Sequence, residues 1–475
     1  MDFSAIIAGA SRIIWGAPLI ILISLVGIVF SFKLGFIQLR YLPRAFKLLL
    51  RRDDSEAGSI SAFAALSTSL AAMIGTGNIV GVATAVVAGG PGAVFWMLIA
   101  AFFGMATSYA EGVLAIKYRR IAPDGHVLGG AFHYIERGMG RRFRFLAVLF
   151  AICGALAALL GIGTMTQVNG IASAARDLFD PSGAWILNII GMDIHAVTLI
   201  VAIVVTALCG IIIFGGISRI SSVATVVVPV MGTLYVVATL AVLVSMRARV
   251  PAAISEIISC AFTGRGPVGG VCGGRVANAI RIGVSRGIFS NEAGLGSASI
   301  AAAAAKARCP AEQGLVSMTG TFIDTIVLCT MTGIAIVVTG ATDSGTTGVA
   351  LTNIAYNRGL SFLPGIGGLV VSTALMLFAF TSILGWSYYG EQCLEYLGGR
   401  RPIRAYRVLY LVAIFLGCFL EVDVVWNLSD ALNGLMAAPN LIALIALSGV
   451  VVAETRGYLN NSCKKRGIST RTSYK

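Results

Sequence analysis

Charge is what this chain has least of. Only 12% of its 475 residues are Asp, Glu, Lys or Arg, while 57% are hydrophobic, against about 25% and about 45–50% in soluble domains. A soluble globule is excluded. Histidines number three (His126, His133 and His195), none paired at metal-ligand spacing, and the nine cysteines include no CxxC pair. Neither a zinc site nor a disulfide framework is expected. There is no GxxxxGK[ST] phosphate loop, and GTGNIVG lacks the third-glycine spacing of a dinucleotide fingerprint. A nucleotide-driven pump and a cofactor enzyme lose their usual signatures. A cleavable leader is not expected either, because the first apolar stretch is followed by basic residues in place of a small-residue cleavage site.

What the sequence does have is long apolar runs. They fall at about 13–32, 60–88, 92–116, 145–175, 195–214, 220–245, 272–303, 314–341, 363–395, 408–422 and 427–453. A helix needs about 20 apolar residues to cross a bilayer, so the pattern predicts an all-α polytopic membrane protein with about 11 transmembrane helices. The stretch 345–362 has room for a further short helix. Basic residues orient the runs, since Lys and Arg concentrate in short cytoplasmic loops. Placing the loop after the first helix inside puts 26 of the 35 Lys and Arg residues on that side. The N-terminus is then expected outside and the C-terminus inside, in the cell (inner) membrane. The net charge of +14 follows from this topology, and its spread over several loops removes nucleic acid as a partner.

Glycine makes up 57 residues, about 12% against about 7% in average usage, and its placement is informative. The second run carries Gly75-Thr76-Gly77-Asn78 at its middle, which predicts an unwound segment with free backbone groups; a GxxxG packing face through Gly77 and Gly81 is the alternative. The seventh run holds Gly283, Gly287, Gly294 and Gly296 together with Arg281, Arg286, Asn291 and Glu292. Ionisable groups at membrane depth face a partner or water; an internal Arg/Glu pair, with Glu292 or Glu111 as the acid, is one reading of them. With the first helix set aside, each interruption falls in the first helix of a five-helix block. The expected organisation is residues 1–59 as an extra N-terminal helix and basic loop, 60–250 and 272–453 as two inverted repeats, and 454–475 as a basic tail. Paired broken segments in inverted halves point to the midplane site of a secondary transporter. Helix N-termini there suit an anion, and freed carbonyls suit a cation. Thr381-Ser382 adds hydroxyls fit for a hard cation, unless they bond their own helix. Gln167 is a candidate ligand contact or a helix-to-helix link.

At GTGNIVGVATAVVAGGPGAVFWMLIAAFFGMATSYAE the sequence resembles the alanine or glycine:cation symporter family, the sodium/alanine symporters. The resemblance continues through AIRIGVSRGIFSNEAGLGSASIAAAAA, FIDTIVLCTMTG, FAFTSILGWSYYGEQCLEYL and VVWNLSDALNGLMAAPNLIALIALSGVV. It implies a leucine-transporter-like 5+5 inverted repeat plus one N-terminal helix, and alternating-access symport of a small neutral amino acid, alanine or glycine, with sodium. By the same resemblance Thr76, Gly77, Asn78 and Gln167 face the amino acid, and Val276, Ile280 and Gly283 form the opposite pocket wall. Sodium would lie between the carbonyls of Ala71 and Ile74 and the hydroxyls of Thr381 and Ser382. The segment GTMTQVNG departs from the usual GNMVQ-type pattern beside Gln167, which bears on substrate preference. The chain is expected to work as a monomer in the bilayer. Proton coupling, which would require a titrating carboxylate in the pocket, and a channel for small solutes are the alternatives.

Overall fold

The computed structural model describes residues 3–49, 58–122, 126–189, 192–263, 276–420 and 422–460. Helices dominate, because a bilayer offers no water to the backbone and each span must close its own N–H and C=O groups. Two short antiparallel hairpins, Arg120–Ile121 with Val127–Leu128 and Ile186–Ile189 with Met192–His195, are the sheets among the described residues. Helices long and apolar enough to cross a bilayer are Gly92–Tyr118, Arg141–Phe179, Ala196–Ile213, Gly216–Ser245, Pro310–Val338, Ile366–Gly398 and Val425–Ala446. Ala62–Met73 and Thr76–Gly89, bent by 62° at their junction, make an eighth span. The other three apolar runs match Ala17–Lys33, Val276–Asn291 and Ile403–Gly417, of 17, 16 and 15 residues, each short of the roughly 20 that a straight crossing takes. A short helix, Gly348–Gly359, occupies the stretch 345–362.

The spans divide into an inner group and a lipid-facing pair. Ile200, Ile211, Val226 and Val237, on Ala196–Ile213 and Gly216–Ser245, are all more than half exposed, as lipid-facing apolar side chains are. The inner group packs backbone to backbone through glycine. A Cβ at Gly283 would lie 2.5 Å from the Ala93 carbonyl oxygen, one at Gly112 would lie 2.5 Å from Ser317 Oγ, and one at Gly314 would lie 2.8 Å from the Tyr109 carbonyl oxygen. Val276–Asn291 and Pro310–Val338 thereby lie directly against Gly92–Tyr118.

Four helices of the inner group are irregular. Ala62–Met73, capped by Ser61 Oγ accepting from Ala64 N, gives way to extended Ile74 and Gly75, then to a 3-10 turn Thr76–Asn78 and the second half-helix Val80–Gly89. Val276–Asn291 runs unbroken through Gly283 and Gly287 and ends at a turn, Glu292 to Ser297, before Ala298–Ala304. That turn needs positive φ at Glu292 (57°), Gly294 (90°) and Gly296 (84°), and glycine supplies two of the three at low steric cost. Pro310–Val338 contains a π-helical stretch, Phe322–Cys329, and the run 145–175 is interrupted at 161–164 between Arg144–Leu160 and Met165–Phe179.

Two sequence expectations change here. Gly283 and Gly287 interrupt nothing; they let two helices touch. Cys260, which stands alone in the sequence pattern, is disulfide-bonded, while Cys153, Cys209, Cys329, Cys393 and Cys418 are free and buried. Part of the boundary between the two expected repeats (264–275), the loop with Arg51 and Arg52, and the tail from residue 461 lie outside the described residues.

Candidate functional site

The first break is held open by a side chain. Gln167, just past the 161–164 interruption, accepts from Thr76 N through Oε1 at 3.1 Å and donates through Nε2 to the Ile162 carbonyl at 2.9 Å. A Cβ at residue 75 would lie 2.8 Å from Gln167 Oε1, so glycine there lets the amide approach. Asn78 Oδ1 accepts from Gly75 N at 3.0 Å. That amide would be the helical donor to the Ala71 carbonyl, and its diversion leaves the end of the half-helix rich in acceptors. Thr76 Oγ1 is completely buried with no partner. An unpartnered buried hydroxyl costs stability, and this one sits in the unwound segment.

A carboxylate closes the other side. Asp324, fully buried in the π-helical stretch, accepts from Asn78 Nδ2 at 2.7 Å through Oδ1, and from Ser290 Oγ and Thr325 Oγ1 at 2.7 Å each through Oδ2. Asn291 Nδ2 donates to Thr325 Oγ1 at 3.0 Å. π-bulges recur at functional sites because they re-aim side chains within a helix. Here the bulge brings Asp324 to both interrupted helices. Sequence reasoning passed over Asp324 and Ser290. The available signal was a single acid in the apolar run 314–341, since intramembrane acids are costly and mark function.

The expected cation ligands are partly gathered. Ser382 Oγ donates to the Ala72 carbonyl at 2.8 Å, and a Cβ at Gly385 would lie 2.8 Å from Ala72 N, so Ile366–Gly398 lies against the carbonyl end of the first half-helix beside Ala71 and Ile74. Thr381 Oγ1 instead bonds its own helix, donating to the Phe378 carbonyl at 3.0 Å. Oxygen donors of this kind, hydroxyls and backbone carbonyls, suit a hard cation.

The residues expected for the opposite wall are not brought to the first break. Val276 and Ile280 are on the early turns of Val276–Asn291, where Asn278 Nδ2 donates to the Ala88 carbonyl at 2.8 Å. The residues of that helix that reach the first break are Phe289 and Ser290: a Cβ at Gly77 would lie 3.2 Å from Ser290 Cα and 3.4 Å from Phe289 Cδ1. At 1.5 Å rise per residue, Ile280 stands roughly 15 Å away along the axis from Ser290. The arginine pairing also differs from the Glu292 or Glu111 expectation. Arg286 pairs with Asp430, Nη2 to Oδ2 at 2.8 Å, and Arg281 donates to Asn278 Oδ1 at 3.1 Å.

Two interrupted helices meeting at a buried polar cluster, inside a bundle of membrane-length helices, are the architecture of a secondary transporter. The solved structure of MhsT in complex with L-phenylalanine superposes with a TM-score of 0.55 over 85% of this chain and 99% of that one, at 12% identity, and it shows the leucine-transporter-like fold. The model of the Sodium:alanine symporter family matches residues 1–472, and the chain belongs to that family. It is 44% identical to the sodium/alanine symporter AgcS of Methanococcus maripaludis, over 96% of this chain and 98% of that protein, and 50% identical to an uncharacterized transporter of Haemophilus influenzae, over 96% of each. It is a multi-pass membrane protein and a cation-coupled amino-acid symporter, not an enzyme.

Proposed function

We propose that the protein takes up alanine or glycine together with sodium by alternating access. The observation that carries this reading is the unwound segment 74–78, where the completely buried Thr76 hydroxyl has no protein partner and the Gly75 amide is turned away from the Ala71 carbonyl. The break thus offers donors on its 3-10 side to an amino-acid carboxylate and acceptors on its helical side to a cation. Thr76, Gly77, Asn78 and Gln167 are assigned to the amino acid. Ala71, Ile74, Thr381 and Ser382 are assigned to sodium. Val276, Ile280 and Gly283 keep the assignment to the opposite pocket wall that the family resemblance implies. The name of the relative AgcS, a sodium/alanine symporter, supports the choice of sodium and alanine.

Eleven crossings, with the N-terminus outside and the C-terminus in the cytoplasm, the repeat boundaries 60–250 and 272–453, and action as a monomer complete the proposal. The uneven placement of Lys and Arg supports the orientation. Binding of sodium and of the amino acid are linked reciprocally: whatever factor one adds to the other's affinity is returned equally.

Proton coupling is the second reading, and Asp324 favours it, because it places a carboxylate directly on the first break. Uptake of radiolabelled alanine and glycine into proteoliposomes, driven by a sodium gradient or by a proton gradient, decides. Accumulation with sodium alone is the expected result; accumulation driven by protons alone would move the coupling to Asp324.

A further inference from the structure

With Arg286 held by Asp430, the two acids closest to it in expectation are left without a base. Glu111, on Gly92–Tyr118, and Glu292, in the second break, are 1% and 0% exposed, and neither forms a salt bridge among the described residues. Glu111 Oε1 accepts from Gly296 N at 3.0 Å and from Asn440 Nδ2 at 2.7 Å. Asn440 also donates to the Gly294 carbonyl at 2.9 Å and accepts from the Tyr134 hydroxyl. Glu292 Oε2 accepts from Ser297 Oγ at 2.6 Å. The second oxygen of each acid, Glu111 Oε2 and Glu292 Oε1, has no partner. Beside Glu292 stands the buried Trp386 indole, its N–H toward the carboxyl group, and near both acids lies the buried Tyr389 hydroxyl.

Two carboxylates in one buried shell with no countercharge among the described residues repel each other and forfeit their hydration, so the arrangement calls for a positive charge from outside the chain. A metal ion fits poorly: the unpaired oxygens here are two carboxyl oxygens and one phenol, fewer than hard cations gather and fewer than the four assigned to sodium at the first break. The indole N–H beside Glu292 also presents its positive end. No group of three His, Cys, Asp or Glu suited to a metal occurs among the described residues. Among the described residues the other titratable groups that act on the pair are Asp324, Tyr134 and Tyr389, with no lysine, arginine or histidine.

We propose that the second break is a proton-binding site, in which a proton carried by Glu111 and Glu292 supplies the charge and the hydrogen bond that their free oxygens lack. Glu292 stands at the turn itself, with φ of 57°, and the shell joins four elements: Gly92–Tyr118, the turn 292–297, Ile366–Gly398 through Trp386, and Val422–Ala446 through Asn440. Loss of the proton leaves two negative charges facing each other at the joint of a broken helix, which links the conformation of the break to pH. This proton is separate from the coupling ion at the first break, and it is detected without any transport assay.

Infrared spectroscopy of the full-length protein in lipid tests the site, with acid-minus-alkaline difference spectra of the parent, E111Q and E292Q. The expected result is a protonated-carboxyl band in the parent at neutral pH, insensitive to sodium, that weakens in both glutamine variants and shifts in W386F. In proteoliposomes the fractional loss of uptake between neutral and alkaline buffer is expected to shrink at least threefold in E292Q. If one variant fails to insert, the band in the parent and in the other variant decides. A band unchanged by the substitutions, or no protonated band and a carboxylate signal that moves with sodium, overturns the proposal; the second outcome would make the pair a metal site.

Discussion

Arg286 forks onto Asp430, with Nη2 at 2.8 Å from Oδ2 and Nη1 at 3.3 Å from Oδ1. The same guanidinium lies over the rings of Phe289 and Trp426, 5.6 and 5.3 Å from their centroids, and those rings stack at 4.9 Å. Phe289 in turn rests against Gly77. On the far side the pair borders a cavity of about 220 Å³ that also touches Arg12, Trp15 and Arg281, and the Trp15 indole donates to the Asp430 carbonyl at 2.7 Å. The ion pair therefore borders this cavity and, through Phe289, reaches the first break.

Removing one partner of this part-buried pair strands the other, at a cost below the roughly 3–5 kcal/mol of a fully buried one because Arg286 is 17% exposed. D430N and R286Q should each lower thermal stability in detergent and reduce alanine uptake. The double variant R286Q/D430N should be more stable than the sum of the single losses allows. Strict additivity in the double-mutant cycle would show that the pair is not coupled.

Gly283 separates two roles. A Cβ there would overlap the Ala93 carbonyl, and overpacking of this kind costs about 1–3 kcal/mol. G283A should lower the melting temperature equally with and without alanine. A stable G283A protein with altered amino-acid preference would return this residue to the pocket wall.

Asp324 accepts three side-chain donors, two of them on the broken helices. An asparagine in its place turns an amide N–H₂ toward some of those donors, and each stranded donor costs about 1–3 kcal/mol. Sodium-driven uptake by D324N is expected to fall at least tenfold while the protein still reaches the membrane. Uptake within twofold of the parent would remove Asp324 from the site.

Gln167 and Ser382 read the two ligands separately. Q167L leaves Thr76 N without its acceptor and should raise the KM for alanine more than tenfold, whereas Q167E retains an acceptor and should raise it less. S382A should increase the sodium concentration for half-maximal uptake, and T381A should do so more weakly, because Thr381 Oγ1 is committed to the Phe378 carbonyl. An unchanged sodium dependence in both variants would place the cation elsewhere.

The unwound segment at Gly75 to Asn78 is visible in the sequence because two glycines around a threonine weaken a helix wherever they fall, whatever the neighbours. The second break is only half visible. Gly283 and Gly287 look like Gly294 and Gly296 on paper, but the first pair packs helices and the second turns the chain, a distinction set by what lies opposite each. The interruption at 161–164 carries Gly161 and Gly163, a mark of the same kind as Gly75 and Gly77, whereas the π-helical stretch is marked only by the lone acid Asp324.

Hydrophobic run length and the placement of Lys and Arg by themselves determined that this is a many-helix membrane protein with a discontinuous first inner helix, because the cost of burying charge and of unwinding backbone is local to each segment. Pairing was decided by tertiary structure alone. Arg286 finds Asp430 across 144 residues and Asn78 finds Asp324 across 246, while Glu111 and Glu292 meet no basic side chain among the described residues. Which buried charge meets which is fixed by how the helices cross, and no stretch of sequence carries that distance.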